Sequence, residues 1–376
     1  MNKFVYINPW LMYLHDRRGF SKNIGTDSKL LQLSYSIGNF FRPRVGPTYS
    51  LADLAPPSCP IPSELTYETF DSAMDGVMTK FAGQVASTDH EIFVLWSGGI
   101  DSTAILVGML KNFDHGLLSR VTILCNHASI IENPYFYYKF LHGKLNIRDA
   151  DEFQLTDENV RNVYLFDGEG GNQCSGSALI SECKYHHLYD MLKAPLENIR
   201  ELVPIFSSAT VKNAKEFIEL EPNQEHADPR IMHTLVDYIL ETAPLAPVDI
   251  STVYDGLWWF NFNTKFEEVL FRKIPAYVFN LTDENSKYAF DQAIVRVYAK
   301  PEFQNWALVS LGERFSKLMT DTKYHAKKYI FDFDKNYHYF ENKMEVSSLM
   351  LATARAHLHD SPISIFAIDD QWHNII

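Results

Sequence analysis

The stretch from Glu91 to Leu110, EIFVLWSGGIDSTAILVGML, constrains this chain more than any other. An apolar run, Ile92 to Trp96, meets a small polar loop, Ser97-Gly98-Gly99-Ile100-Asp101-Ser102-Thr103. A second apolar run, Ala104 to Leu110, follows at helical spacing. A short apolar run bounded by glycines reads as a buried strand, and the periodic run after it as a helix. The loop therefore joins the end of a parallel strand to the start of a helix, where unpaired backbone N–H groups and the helix dipole favour an anion. Gly98 and Gly99 permit a sharp turn and a close approach to phosphate. Ser97, Ser102 and Thr103 add hydroxyls, and Asp101 adds a carboxylate suited to Mg2+. The phosphate loop GxxxxGK[ST] is absent, and no lysine stands in this one.

A chain of 376 residues has the length for two domains or one large α/β unit. Its 46% hydrophobic and 14% aromatic content predicts a filled core and excludes a disordered chain. The net charge of −13 argues against a general nucleic-acid or anionic-membrane surface, which needs clustered Lys and Arg. The first twenty residues carry neither a long apolar region nor a small-residue cleavage site, and no apolar run reaches about 18 residues. A cytoplasmic protein without a membrane span is the expectation. Cys59, Cys125, Cys174 and Cys183 form no CxxC pair and read as free thiols. His186-His187, His357-x-His359 and Asp332-x-Asp334 lack metal-ligand spacing and read as ordinary surface or core groups.

Residues 1–65 are rich in aromatics and prolines and read as an N-terminal arm or small region. Residues 66–200 read as the nucleotide-binding core, and 201–376 as a largely helical C-terminal part. A helix over Thr66–Val85, capped near Ser63, leads into the loop strand. Arg120–Asn126 and Asn162–Phe166 are further strand candidates, with an amphipathic aromatic helix over Asn133–Leu145 between them. Further helices are expected over Tyr189–Glu201, Ser208–Leu220, Ile231–Glu241, Ile250–Ile274 and Phe303–Met319, with Trp258-Trp259 in the core. Ile363–Ile368 reads as a last strand or a docking piece. Strands alternating with helices predict α/β architecture: a doubly wound, mainly parallel sheet with its ligand site at the C-terminal ends of the strands. A second glycine loop, Asp167-Gly168-Glu169-Gly170-Gly171-Asn172-Gln173, falls at such an end.

The first loop resembles SGGxDS, the pyrophosphate loop of the ATP-pyrophosphatase (PP-loop) superfamily, and the second resembles SGEGSDE of the asparagine synthetase family. Pro301-Glu-Phe-Gln-Asn-Trp resembles that family's VPFLD turn. Lys323-Tyr-His-Ala-Lys327, followed by Asn342-Lys343-Met-Glu345, resembles its KHxLR and RxKE segments at the family's interval. The resemblance spans roughly residues 66 to 348. It implies an adenine-nucleotide α-hydrolase-like (HUP-type) fold and a ligase that uses ATP and Mg2+ to adenylate a small-molecule carboxylate, then transfers ammonia or another amine to it. By the family pattern Ser97, Gly98, Gly99, Asp101, Ser102, Gly168 and Gly170 would bind the nucleotide, with Asp101 on the metal. Lys323 and Lys343 would lie near the departing phosphates, and Glu169 would orient or deprotonate the amine.

The departures bear on the substrate. Asp167 stands where the family has Ser, and Asn172-Gln173 where it has Asp-Glu, so the anchor for the α-amino group of aspartate is altered. The chain opens Met1-Asn2, without the family's N-terminal cysteine nucleophile, and 65 residues are too few for a glutaminase domain. Free ammonia, another amine, or a separate ammonia-supplying partner is the expectation. Two alternatives stay open: a PP-loop enzyme adenylating a nucleobase or RNA for amination or thiolation, with Cys174 as a candidate nucleophile, and a non-catalytic nucleotide-binding module.

Overall fold

The first glycine loop hangs from the middle strand of a five-stranded parallel sheet. The computed structural model describes residues 2–7, 44, 45, 59, 61–176, 180, 183, 187–204, 229–266, 281–317, 323–343, 363–368 and 374–375, and all that follows concerns these. The strands are β1 (Asn2–Ile7), β2 (Glu91–Leu95), β3 (Val121–Cys125), β4 (Asn146–Asp149), β5 (Val163–Asp167), β6 (Ile294–Arg296), β7 (Ile363–Ile368) and β8 (Asn374–Ile375). The large sheet has the order β4-β3-β2-β5-β6, every neighbour parallel. Ile92 stands opposite Val121 on one side and Tyr164 on the other. The chain moves outward from β2 through β3 and β4, then returns to add β5 and β6 on the opposite side. The switch in winding lies between β2 and β5, the position at which open α/β sheets hold their ligands.

Helices cover both faces, as a parallel sheet requires. The main helices are α1 (Phe70–Val85), α2 (Ile100–Asn112), α3 (His127–Glu132), α4 (Gly171–Ser175), α5 (Pro229–Thr242), α6 (Val253–Phe260), α7 (Pro301–Val309), α8 (Tyr324–Asp334) and α9 (Tyr337–Asn342). Strand alternation sends Ile92, Val94, Ile123 and Phe166 toward α1 and α2, where Met74, Met78 and Ile105 meet them. Phe93, Leu124 and Leu165 point the other way, against Val160, Ala289 and Ala293. Apolar burial of this kind contributes about 25 cal/mol per Å2 removed from water and is what holds the layers together. Trp258 and Trp259 are fully buried in the larger core, as their helical spacing leads one to expect.

A polar staple fixes α8 over α1 and α2. The Asp75 carboxylate accepts from Lys111 Nζ at 2.7 Å, from Asn112 Nδ2 at 3.0 Å and from the Tyr329 hydroxyl. The Lys111 ammonium also sits 4.2 Å from the Tyr329 ring centroid. Burial pushes Asp75 upward, but these hydrogen bonds outweigh it and hold the carboxyl below its ordinary range. The staple grips the middle of α8 at Tyr329, six residues beyond Lys323.

The structure departs from the sequence expectations at several places. Thr69, with Ser72, forms the capping box of α1, which starts at Phe70, four residues later than expected. The aromatic segment after Asn133 is not one helix: a short turn, Pro134–Phe136, runs into a π-helical turn, Tyr137–Leu141. The stretch Phe303–Met319 divides into α7 and a second helix, Leu311–Lys317. β4 and β6 are additional strands. The expected Ser208–Leu220 helix lies outside the described residues. β1 pairs antiparallel with β7, Asn2 opposite Ile368, so Ile363–Ile368 is a strand of a separate three-stranded sheet. No helix among the described residues is long and apolar enough to cross a membrane.

Candidate functional site

The first loop leaves β2 through Trp96, whose indole N–H donates to Thr103 Oγ1 at 3.0 Å and ties strand to helix. The chain turns at Gly98, with φ +77°. A Cβ there would stand 2.3 Å from the carbonyl oxygen of Ser129, so the position admits glycine alone. The Ser97 N–H donates to Ser102 Oγ and the Gly99 N–H to Ser97 Oγ, each at 3.2 Å, and the two hydroxyl oxygens are 3.2 Å apart. Gly99 precedes α2, and no side chain caps that helix. This is the arrangement in which first-turn N–H groups serve an anion.

The second loop leaves β5 at Asp167, which is buried and accepts the Glu169 N–H at 3.2 Å. Its glycines are what let the two loops meet. A Cβ on Gly168 would lie 3.0 Å from the Ser102 nitrogen, and one on Gly171 would lie 2.5 Å from the Asp101 carboxyl carbon. Glu169 is half-buried between them. From below, the Tyr298 hydroxyl donates to the Asp101 carbonyl at 3.0 Å. Burial, with the nearby Asp101 charge, holds that phenol protonated, its pKa well above the ordinary value.

The two lysines assigned from the sequence converge on this place from far along the chain. Lys323, at the start of α8, puts Nζ 2.5 Å from Asp101 Oδ2. Lys343, just after α9, puts Nζ 2.8 Å from Glu132 Oε1. The Lys323 and Lys343 side chains are 17% and 14% exposed, so neither is a solvated surface charge. The α9 residue Tyr339 donates its hydroxyl to the Gly98 carbonyl at 2.8 Å. Ser97, Gly98, Gly99, Asp101, Ser102, Gly168, Gly170, Glu169 and Lys323 thus belong to one neighbourhood, and Lys343 reaches it through Glu132.

The donor set at Asp101 is one carboxylate beside hydroxyls. Among the described residues no three His, Cys, Asp or Glu side chains gather as a metal cage. This fits Mg2+ delivered on a polyphosphate, which needs only one or two protein carboxylates, and does not fit an ion held by protein alone. Cys174, two residues beyond the altered Asn172, is fully buried, and burial pushes its thiol far above the ordinary range. Its Sγ donates to the Tyr298 carbonyl at 3.7 Å. Such a thiol is inert, not nucleophilic.

Glu132, Tyr298 and Tyr339 escaped the sequence reading. Only Glu132 had a local signal: Asn126 and Ser129 form a capping box directly after the apolar strand VTILC, marking another helix that starts at a strand's C-terminal end. Compared with protein-family models, curated proteins and solved structures, the chain matches none.

Proposed function

We propose that this protein is an ATP-dependent, AMP- and pyrophosphate-forming ligase of asparagine-synthetase type, built on an adenine-nucleotide α-hydrolase-like sheet. The observation that carries the reading is the 2.5 Å ion pair between Asp101 of the first loop and Lys323, which the family pattern assigns to the departing phosphates. A polyphosphate on this loop would meet the hydroxyls of Ser97 and Ser102, the N–H groups at the start of α2, and the ammonium groups of Lys323 and Lys343. Bound Mg2+, held through Asp101 and the phosphates, would supply further charge neutralisation.

The chemistry follows from that placement. A carboxylate oxygen attacks the α-phosphorus of ATP, the bridge to the β-phosphorus breaks, and pyrophosphate leaves with the electron pair. Donors aimed at the leaving group stabilise the charge that develops there. An amine then attacks the acyl carbon, AMP departs, and the amine's proton passes to a base. Glu169, half-buried on the adjoining loop, is the carboxylate for that step. Ammonia, free or delivered by a separate partner, or another amine would serve as nucleophile. The buried Cys174 weighs against sulfur transfer through this residue.

The test is incubation with ATP, Mg2+ and a panel of carboxylates and amines, following AMP and pyrophosphate. The expected result is both products, formed only when a carboxylate is present. ADP and phosphate as products would overturn the assignment. AMP formed only with RNA or a nucleobase would move the reading to base modification, and tight ATP binding without any turnover would make the protein a nucleotide-binding module.

A further inference from the structure

We infer that Glu132 sets how tightly the site holds pyrophosphate, by competing with it for Lys343; this rests on the phosphate-binding reading of the first loop. Glu132 closes α3, the helix that follows β3, so a third strand end contributes to the same place. Helix α3 packs against the loop through backbone and side chain: a Cβ on Gly98 would stand 2.3 Å from the Ser129 carbonyl oxygen and 2.9 Å from Glu132 Cβ, and one on Gly99 would stand 3.3 Å from Glu132 Oε1. The carboxylate is therefore held beside the loop's glycines, with its side chain only 4% exposed.

A buried anion next to an anion cradle calls for an explanation, since like charges repel strongly where water is excluded. In the proposed reaction Asp101 would hold Mg2+, whereas Glu132 would have no step in adenylation. Glu132 forms an ion pair with the Lys343 ammonium at 2.8 Å. An ammonium shared between a buried carboxylate and a phosphate serves each less well than it would serve one alone. Glu132 therefore weakens the grip of Lys343 on a polyphosphate. Pyrophosphate is multiply charged, and two lysines with a helix N-terminus would retain it after adenylation. Return of Lys343 to Glu132 lowers that retention and clears the site for turnover.

The experiment is calorimetric titration of inorganic pyrophosphate, with Mg2+, into the full chain and four variants: Glu132→Gln, Glu132→Asp, Lys343→Met, and the double variant Glu132→Gln/Lys343→Met. Glu132→Gln is expected to bind pyrophosphate about tenfold more tightly, as removal of one competing charge at short range implies. Glu132→Asp keeps the charge but loses reach to Lys343, and a smaller gain in the same direction is expected. Lys343→Met weakens binding, and in its background the gain from Glu132→Gln falls to about threefold or less, the coupling a shared lysine demands. Unchanged or weaker binding by Glu132→Gln would overturn the inference. So would a full gain that survives in the Lys343→Met background, or no gain from Glu132→Asp, because either would mean repulsion without competition. If circular dichroism shows Glu132→Gln to be unfolded, Glu132→Asp alone decides. A wild-type chain that binds neither ATP nor pyrophosphate would instead remove the phosphate reading itself.

Discussion

The two glycine loops end neighbouring strands and touch through their backbones, yet they differ in how much of their support is local. The first is knit by its own residues and braced from outside: Ser97, Gly99 and Ser102 bond one another, the thirteen-residue α2 follows at once, and Tyr339 and Tyr298 hold the Gly98 and Asp101 carbonyls. The second runs into the five-residue α4, whose carbonyls are claimed from afar. Trp258 donates to the Cys174 carbonyl at 3.0 Å across 84 positions, and the buried Arg314 to the same carbonyl at 2.6 Å across 140. Asn261 bonds the Asn172 carbonyl at 3.2 Å. The cradle thus draws its internal bonds from local backbone geometry and only its bracing from afar, whereas the short helix of the wall that faces it is held largely by the helical remainder of the chain.

This contrast can be broken first at the cradle. Asp101→Asn is expected to lower pyrophosphate release by about 10^2- to 10^3-fold, the scale of losing one preorganised electrostatic group, with the circular dichroism spectrum unchanged. Wild-type turnover in that variant would remove Asp101 from the chemistry. At the second loop the effect should fall on stability. Arg314→Leu leaves the carbonyls of Cys174 and Ala307 without their guanidinium donor, a cost of about 3–5 kcal/mol in a denaturant titration. A loss below about 1 kcal/mol would mean that α4 is anchored by other groups. The smallest effect belongs to Asn172→Asp, which is exposed: stability should stay within about 0.5 kcal/mol. If the altered pair excludes aspartate, that variant should form AMP faster with aspartate as the test carboxylate, measured against its parent.

Legibility in the sequence follows the same division. β2, the first loop and α2 could be read off because strand burial, glycine turn and helical period all lie within twenty residues. β4 could not, because Asn146–Asp149 is an edge strand of mostly polar residues with only Ile147 to mark it. β6 escaped because three residues after a π-helical turn carry too little period. The aromatic segment after Asn133 misled because its spacing is amphipathic while the backbone shifts register at Tyr137. Lys323 and Lys343 were reached only by resemblance, and Glu132 not at all: the capping box at Asn126 marks the start of its helix, but no local pattern encodes its contact with Lys343.

The separation between Asp101 and Lys323 has a consequence for how the molecule comes into being. During synthesis the strands β2 to β5 and their glycine turns emerge before β6 and the later helices and carry much of the information needed to assemble their own layer. The ammonium that answers Asp101 arrives 222 residues later. Closing so long a loop delays the contact relative to the local ones. A nascent chain halted before residue 323 would lack the Lys323 ammonium that pairs with Asp101, so the charge balance of the site waits on a segment far downstream of its glycine turns.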